Sequence, residues 1–280
     1  MWRNDVIISH KYKFIFLHVP KVAGSSISVF LSQFLGDDDI MLDAWNDALA
    51  HGVPYNKRVF TEINNAYGLE KIQEALSLRE KDGKILERPV LDYAFRKVIG
   101  KTLGTETVHA TASHIRDFDR GAWKDYFKFA FVRNPFTHAL SWFRWNEETW
   151  SLRQGSMAKR PQSALGATEF NHFLKNLKNR PKPTFEYDDR SFLIPGNAIY
   201  TSNGHISVDY MGRFETLQKD MEKISTLLEL PISDFKLPHT KKNATKNLDH
   251  YYSEENKSLV KDIWATEFEL FDYEYPEPKN

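Results

Sequence analysis

The stretch that decides the fold of this chain is KFIFLHVPKVAGSS, residues 13–26. Its first part, residues 13–19, is largely apolar on both faces, which is typical of a short strand buried inside a sheet. Residues 20–26 contain proline, glycine and two serines and predict a turn. Apolar residues then recur at helical spacing from Ile27 to Leu35, and Gly36 followed by three aspartates ends that helix. The stretch therefore predicts a strand, a loop and a helix in succession.

A second unit of the same kind begins at Phe127. Residues 127–132 predict a buried strand, Arg133-Asn134-Pro135 ends it, and residues 136–150 predict a helix rich in aromatic side chains. Two such units with apolar strands favour an α/β fold, in which a parallel sheet is covered by helices. Ligands of these folds bind at the C-terminal ends of the strands. We therefore expect the functional residues just after residues 19 and 132.

The remaining elements are predicted from periodicity and turn residues. Asn203-Gly204 predicts a hairpin within residues 197–211. Apolar spacing predicts four further helices, over residues 69–79, 89–103, 217–228 and 253–268. Residues 40–68 give no clear pattern.

Composition excludes several classes of site. The chain has no cysteine, so it contains no disulfide, no thiolate metal site and no cysteine nucleophile. Lysine plus arginine and aspartate plus glutamate both number 38, so net charge favours neither a nucleic acid nor a membrane partner. No apolar run approaches the roughly 18 residues of a membrane span, and we see no secretory signal. We expect a cytoplasmic protein.

The loop after the first strand is suited to an anion. Backbone N–H groups at a helix N-terminus, together with the helix dipole, attract phosphate. Gly24 allows close backbone approach, Ser25 and Ser26 add hydroxyl donors, and Lys21 adds a positive charge. The same residues are also compatible with a plain helix start in which a serine is the cap. The loop alone leaves both interpretations open.

This loop differs from the Walker A motif. That motif has a first glycine and a lysine directly before serine or threonine, whereas here Lys21 precedes Gly24 by three positions. A nucleoside triphosphatase also needs an acidic Mg²⁺ ligand after a nearby strand. Here that position is Arg133. The pattern therefore favours an anion site without a metal over a P-loop-like nucleotide kinase.

The loop resembles a known motif. Residues 18–26, His-Val-Pro-Lys-Val-Ala-Gly-Ser-Ser, are similar to the 5'-phosphosulfate loop of the sulfotransferase family that includes the heparan-sulfate 2-O-sulfotransferases and many microbial members. That loop typically reads His-Ile-Pro-Lys-Thr-Ala-Gly-Thr-Ser, so Val22 and Ser25 replace two threonines. The strand ending in Arg133-Asn134-Pro135, with Ser141 eight residues after Arg133, resembles the family's 3'-phosphate motif. The family commonly has a further arginine where this chain has His138.

The resemblance implies a P-loop-like three-layer fold and a single domain over residues 1–280, with acceptor-binding inserts at about 37–100 and 151–195. It implies a donor, 3'-phosphoadenosine 5'-phosphosulfate (PAPS), a product, adenosine 3',5'-bisphosphate (PAP), and no metal. The implied donor-binding residues are Lys21, Val22, Ala23, Gly24, Ser25 and Ser26 for the phosphosulfate, Arg133 and Ser141 for the 3'-phosphate, and Lys241 and Lys242 in a closing loop. Lys21 would also stabilise the leaving group.

The general base is a separate question. His109 stands in a His-Ala-Thr-Ala segment that microbial relatives often carry before the 3'-phosphate strand, so the resemblance implies His109 as the base. His114 is the reserve candidate, and a carboxylate or the absence of a base are further alternatives. The acceptor would be a hydroxyl or amine of a saccharide or small molecule. A non-catalytic nucleotide-binding protein is the remaining alternative, and the oligomeric state is open.

Overall fold

The computed structural model describes residues 6–42, 44–82, 90–104, 109–153, 166–179, 196–232, 237 and 248–276. The described chain forms two compact units. The first comprises residues 1–132 and 187–240, and the second comprises residues 133–186 and 241–280. The predicted single domain with inserts stays a prediction. Among the described residues, no helix combines the length and the apolar character that crossing a membrane requires.

A five-stranded sheet lies in the first unit. The strands of the chain are β1 (Val6–Ser9), β2 (Phe14–Leu17), β3 (Ile40–Met41), β4 (Phe127–Val132), β5 (Thr201–Ser202), β6 (His205–Ile206) and β7 (Tyr210–Arg213). The sheet has the order β3-β1-β2-β4-β7, and β5 pairs with β6 in a separate hairpin. The hairpin predicted at Asn203-Gly204 is confirmed, and both of its turn residues have positive φ.

Strand β2 runs parallel to β4, with Leu17 opposite Ala130, and β4 runs parallel to β7, with Val132 opposite Arg213. Strand β1 is antiparallel to both of its neighbours, which the sequence did not predict. The predicted α/β class, with a central and mostly parallel sheet, is confirmed. Because β2 and β4 are parallel, both strands end at the same edge of the sheet.

Aromatic side chains fill the space beside the sheet. The rings of Phe16 and Phe129 stack with centroids 5.2 Å apart, and both side chains are fully buried. On β7, a Cβ at Gly212 would lie 2.3 Å from Cε1 of Phe131. Only glycine therefore leaves room for the Phe131 ring at this position.

The helices follow in chain order, and most flank the sheet in the first unit. They are α1 (Gly24–Ser32), α2 (Trp45–Ala50), α3 (Lys57–Tyr67), α4 (Leu69–Asp82), α5 (Val90–Leu103), α6 (Ala112–Phe118), α7 (Arg120–Asp125), α8 (Pro135–Arg153), α9 (Ala167–Lys178), α10 (Asn197–Tyr200), α11 (Leu217–Leu227), α12 (Glu254–Ile263) and α13 (Ala265–Phe271). Short 3-10 turns cover Phe214–Thr216 and Leu248–His250.

The second unit is helical and contains α8, α9, α12 and α13. Helix α9 packs against α12, where Asn171 Nδ2 donates to Asn256 Oδ1 at 2.7 Å. The single helix predicted over residues 253–268 is wrong, because the chain divides into α12 and α13 at Trp264. Trp264 is fully buried and its backbone leaves the helical conformation, so a pattern that is locally helical is interrupted at this residue.

Candidate functional site

The loop between β2 and α1 contains two left-handed residues that are not glycine. Lys21 has a φ of 66° and Ala23 a φ of 67°, a conformation that is costly for residues with a Cβ. Val22, between them, is fully buried and anchors the loop in the core. Strained residues of this kind concentrate at ligand sites, and loop N–H groups in such conformations form concave anion-binding nests. The loop backbone is therefore suited to an anion.

Helix α1 begins without a side-chain cap. Its N-cap is Ala23, whose carbonyl accepts from the Ile27 N–H at 3.1 Å. Ser25 and Ser26 lie inside the first turn, so the interpretation that a serine caps this helix is wrong. A first helical turn presents N–H groups that have no acceptor within the helix, and it carries the positive end of the dipole. The start of α1 thus has the electrostatics of an anion site.

Gly24 has a specific neighbour, the imidazole ring of His18. A Cβ at Gly24 would lie 1.6 Å from Nε2 of His18, far inside van der Waals contact. The His18 ring is buried and stacks on Phe16 with centroids 6.1 Å apart. The sequence predicted a glycine for close approach of a ligand, but the structure shows that the group against Gly24 is His18.

The predicted base, His109, lies beside His18. The two rings meet edge to face, with centroids 6.1 Å apart and an interplanar angle of 85°. His109 is 3 % exposed. The structure therefore brings His109 to the end of β2, next to the residue that packs beneath the start of α1. The sequence did not predict that the side chains of His18 and His109 are in contact.

The reserve candidate, His114, has a structural role at the start of α6. Thr111 is the N-cap of α6, and its N–H donates to Nδ1 of His114 at 3.2 Å. The His114 N–H in turn donates to the Thr111 hydroxyl at 3.4 Å, which completes a capping box. Burial lowers the pKa of His114, while the charge of Asp117 opposes this effect. His114 therefore stabilises the start of α6, and its role as the reserve base stays a prediction.

In the second unit, Arg133 forms a hydrogen bond with Thr137, which the sequence did not predict as a site residue. Arg133 is 5 % exposed, and its Nε donates to the hydroxyl of Thr137 at 2.9 Å. The Thr137 hydroxyl donates to the carbonyl oxygen of Asn134 at 3.1 Å. A partial signal was present, because Thr137 and the predicted ligand Ser141 are four positions apart on α8, and such positions share one face of a helix.

The turn around Arg133 is held by the side chain of Asn134. Its Oδ1 accepts from the Phe136 N–H at 3.0 Å, and its Nδ2 donates to the carbonyl oxygen of Glu274 at 2.8 Å. Ser141, predicted to share the 3'-phosphate, is buried on α8. His138, at the position of the family's second arginine, is also buried and lies 6.0 Å from the Trp264 ring.

Tyr252 lies close enough to Arg133 to interact with it electrostatically. Its hydroxyl donates to the carbonyl oxygen of Phe136 at 2.6 Å. Burial, aided by the nearby Tyr275 hydroxyl, raises the pKa of Tyr252 well above its usual value, and the positive charge of Arg133 opposes this shift. Arg133 itself is buried, and in such an environment an anion would interact with its positive charge strongly.

Other predicted residues are placed differently. Lys241 and Lys242, predicted to close over the donor, lie outside the described residues, as does much of the basic segment 151–183. In the described part of that segment, Lys175 and Lys178 form ion pairs with Glu255 and Asp262 of α12, at 2.7 and 2.6 Å. Within the described ranges, no cluster of three or more histidine or acidic side chains is placed to hold a metal ion.

Comparison with known proteins identifies the family. A model described as the sulfotransferase family matches residues 4–274, which include both predicted phosphate motifs and His109. No curated protein and no solved structure matches the chain. Kinship with the heparan-sulfate 2-O-sulfotransferases in particular stays a prediction. Since the match extends over nearly the whole chain, this protein belongs to the sulfotransferase family.

Proposed function

We propose that this chain transfers a sulfuryl group from PAPS to a hydroxyl or amine of a saccharide or small-molecule acceptor and releases PAP. Family membership supplies the general chemistry, sulfuryl transfer. The observation that carries the proposal is the contact between His109 and His18, because His18 packs against the first residue of α1. A residue able to act as a base thus lies beside a loop suited to an anion.

In this proposal, residues 21–26 bind the phosphosulfate of the donor. The left-handed loop and the uncapped start of α1 supply N–H donors, and Ser25 and Ser26 add hydroxyls. Lys21, which is partly exposed, supplies the cation. Sulfuryl oxygens spread negative charge, so fixed donors that are aimed at them stabilise the transition state.

Arg133 and Ser141 bind the 3'-phosphate of the donor. A guanidinium is suited to an oxyanion because its planar fork makes two parallel hydrogen bonds. Burial of Arg133 strengthens its interaction with a phosphate. The proposed donor ligands Lys21 and Arg133 are both cationic, so we expect PAP to bind without Mg²⁺.

The transfer itself is an in-line displacement at sulfur. The acceptor oxygen forms a bond to sulfur while the bond between sulfur and the bridging phosphate oxygen breaks, and that oxygen leaves with the electron pair as part of PAP. His109 takes the proton of the acceptor hydroxyl. Lys21 stabilises the negative charge that develops on the leaving oxygen.

Thermal melting with nucleotides tests the donor. PAP in large excess over its Kd should raise the Tm in the absence of Mg²⁺, since a ligand at about 100 times its Kd stabilises the native state by about 2.7 kcal/mol. A shift with ATP and Mg²⁺ but none with PAP would overturn the proposal in favour of a nucleotide kinase.

Turnover of variants tests the roles. An acceptor screen with PAPS should reveal a mass gain of about 80 Da, that of one sulfuryl group added by group transfer. His109→Ala should then lower the rate about 10²–10⁴-fold with PAP binding retained, while Arg133→Ala should mainly weaken PAP binding. PAP binding without turnover of any acceptor would favour a non-catalytic nucleotide-binding protein.

A further inference from the structure

The hydroxyl of Thr137 connects the Arg133 side chain to the backbone. It accepts from Arg133 Nε at 2.9 Å and donates to the Asn134 carbonyl at 3.1 Å. A threonine hydroxyl has one proton and two lone pairs, so both bonds form at once and their directions are determined. Arg133 and Thr137 are both buried. The plane of the guanidinium is therefore held by a hydrogen bond that water does not replace readily.

The acceptor of this chain of hydrogen bonds is itself immobilised. The Asn134 side chain accepts from the Phe136 N–H and donates to the Glu274 carbonyl. Two hydrogen bonds thus hold the residue that follows Arg133. Neither of these two contacts reaches the guanidinium. The hydrogen bond from Arg133 Nε to the Thr137 hydroxyl does reach the guanidinium and restrains its orientation.

We propose that Thr137 is a positioning residue, which holds the Arg133 guanidinium in the orientation that binds the 3'-phosphate of the donor. This inference rests on the proposed function, because it takes Arg133 as the 3'-phosphate ligand. With Nε bonded to Thr137, rotation about the end of the arginine side chain is restricted. Binding then requires less ordering of a flexible side chain, and pre-organisation of this kind increases affinity.

Thr137 and Ser141 also lie four residues apart on α8, so they share one face of that helix. The neighbouring residue His138 contacts Trp264 instead. This face of α8 thus carries two hydroxyls, and the first of them, that of Thr137, bonds to Arg133 just before the helix. The proposal assigns a role to the Thr137 hydroxyl. Substitution by valine removes this hydroxyl with little change in the shape of the side chain.

The test compares PAP with AMP, which lacks the 3'-phosphate, by calorimetric titration of the full-length protein. Thr137→Val should reduce the preference for PAP over AMP about tenfold, a typical loss for one hydrogen bond to a charged group. Thr137→Ser keeps the hydroxyl and should restore most of that preference. Thr226→Val is the matched control, because its hydroxyl bonds a helix carbonyl, that of Glu222, at 3.0 Å in the other unit. The control should leave the preference unchanged.

The outcomes separate this inference from the proposed function. If the wild-type protein does not prefer PAP over AMP, the proposed donor itself is wrong. If the wild type prefers PAP and Thr137→Val keeps that preference, the role of Thr137 is refuted. An equal loss in Thr137→Ser and Thr137→Val would refute it as well, since packing rather than the hydroxyl would then be responsible. Should Thr137→Val fail to fold, Thr137→Ala replaces it in the same comparison.

Discussion

Replacing Gly24 by alanine forces a methyl group into space that the His18 ring occupies. The added Cβ would lie 1.6 Å from Nε2, 1.9 Å from Cδ2 and 2.4 Å from Cε1 of that ring. Optimal separations between such atoms are about 3.5–4.0 Å, so the ring has to withdraw by about 2 Å. His18 is 6 % exposed and is flanked by Phe16 and His109, which leaves little room for that movement.

The size of the effect follows from two opposing contributions. Overpacking of a buried site costs about 1–3 kcal/mol, and a displacement of this extent belongs near the upper end. Alanine is otherwise favoured over glycine within a helix by roughly 0.5–1 kcal/mol. We therefore expect Gly24→Ala to lower the free energy of unfolding by about 2 kcal/mol. For a chain of this size, the Tm should fall by about 2–4 °C for each kcal/mol.

Urea denaturation of four proteins measures this effect: wild type, Gly24→Ala, His18→Ala and the double variant. If the two side chains clash, the double variant should be more stable than the sum of the single losses predicts. Gly121→Ala is the matched control, because its Cβ would meet only Asp119 Oδ1 at 3.5 Å, an ordinary contact, on helix α7. Additive losses, or a Gly24→Ala variant as stable as the wild type, would refute the proposed contact.

Two further predictions concern pH. Burial lowers the pKa of His114, so the stability that its neutral form contributes is present above about pH 6.5, its usual pKa, and is lost as the pH falls. His114→Gln retains a capping-box side chain. On acidification, the urea concentration at the unfolding midpoint should fall less for this variant than for the wild type, and an equal fall in both would contradict the prediction. Burial and the bond to Asp220 raise the pKa of Tyr210 to about 12, so its contribution is present below about pH 10 and is lost as the pH rises toward 12. The free energy of unfolding of Tyr210→Phe, measured between about pH 10 and 12, should therefore fall less than that of the wild type. The same dependence on pH in both proteins would count against the prediction.

Much of the fold could be predicted because its signals are local. The strand over residues 127–132 has the predicted bounds, and the helix predicted over 217–228 is α11. In both, periodicity within one short segment determines the element. The helix predicted over 253–268 is instead divided at Trp264, a fully buried residue whose surroundings depend on the rest of the fold.

The sequence by itself determined the chemistry of the candidate residues: the cation and glycine of the loop, the arginine after β4, and a histidine before that strand. Only the tertiary structure decided that Gly24 makes room for His18, that His109 lies against His18, and that Thr137 bonds to Arg133. The reason is physical. Residue type and short-range spacing are properties of a segment, whereas a contact such as that between residues 18 and 109 exists only after folding has packed distant segments together.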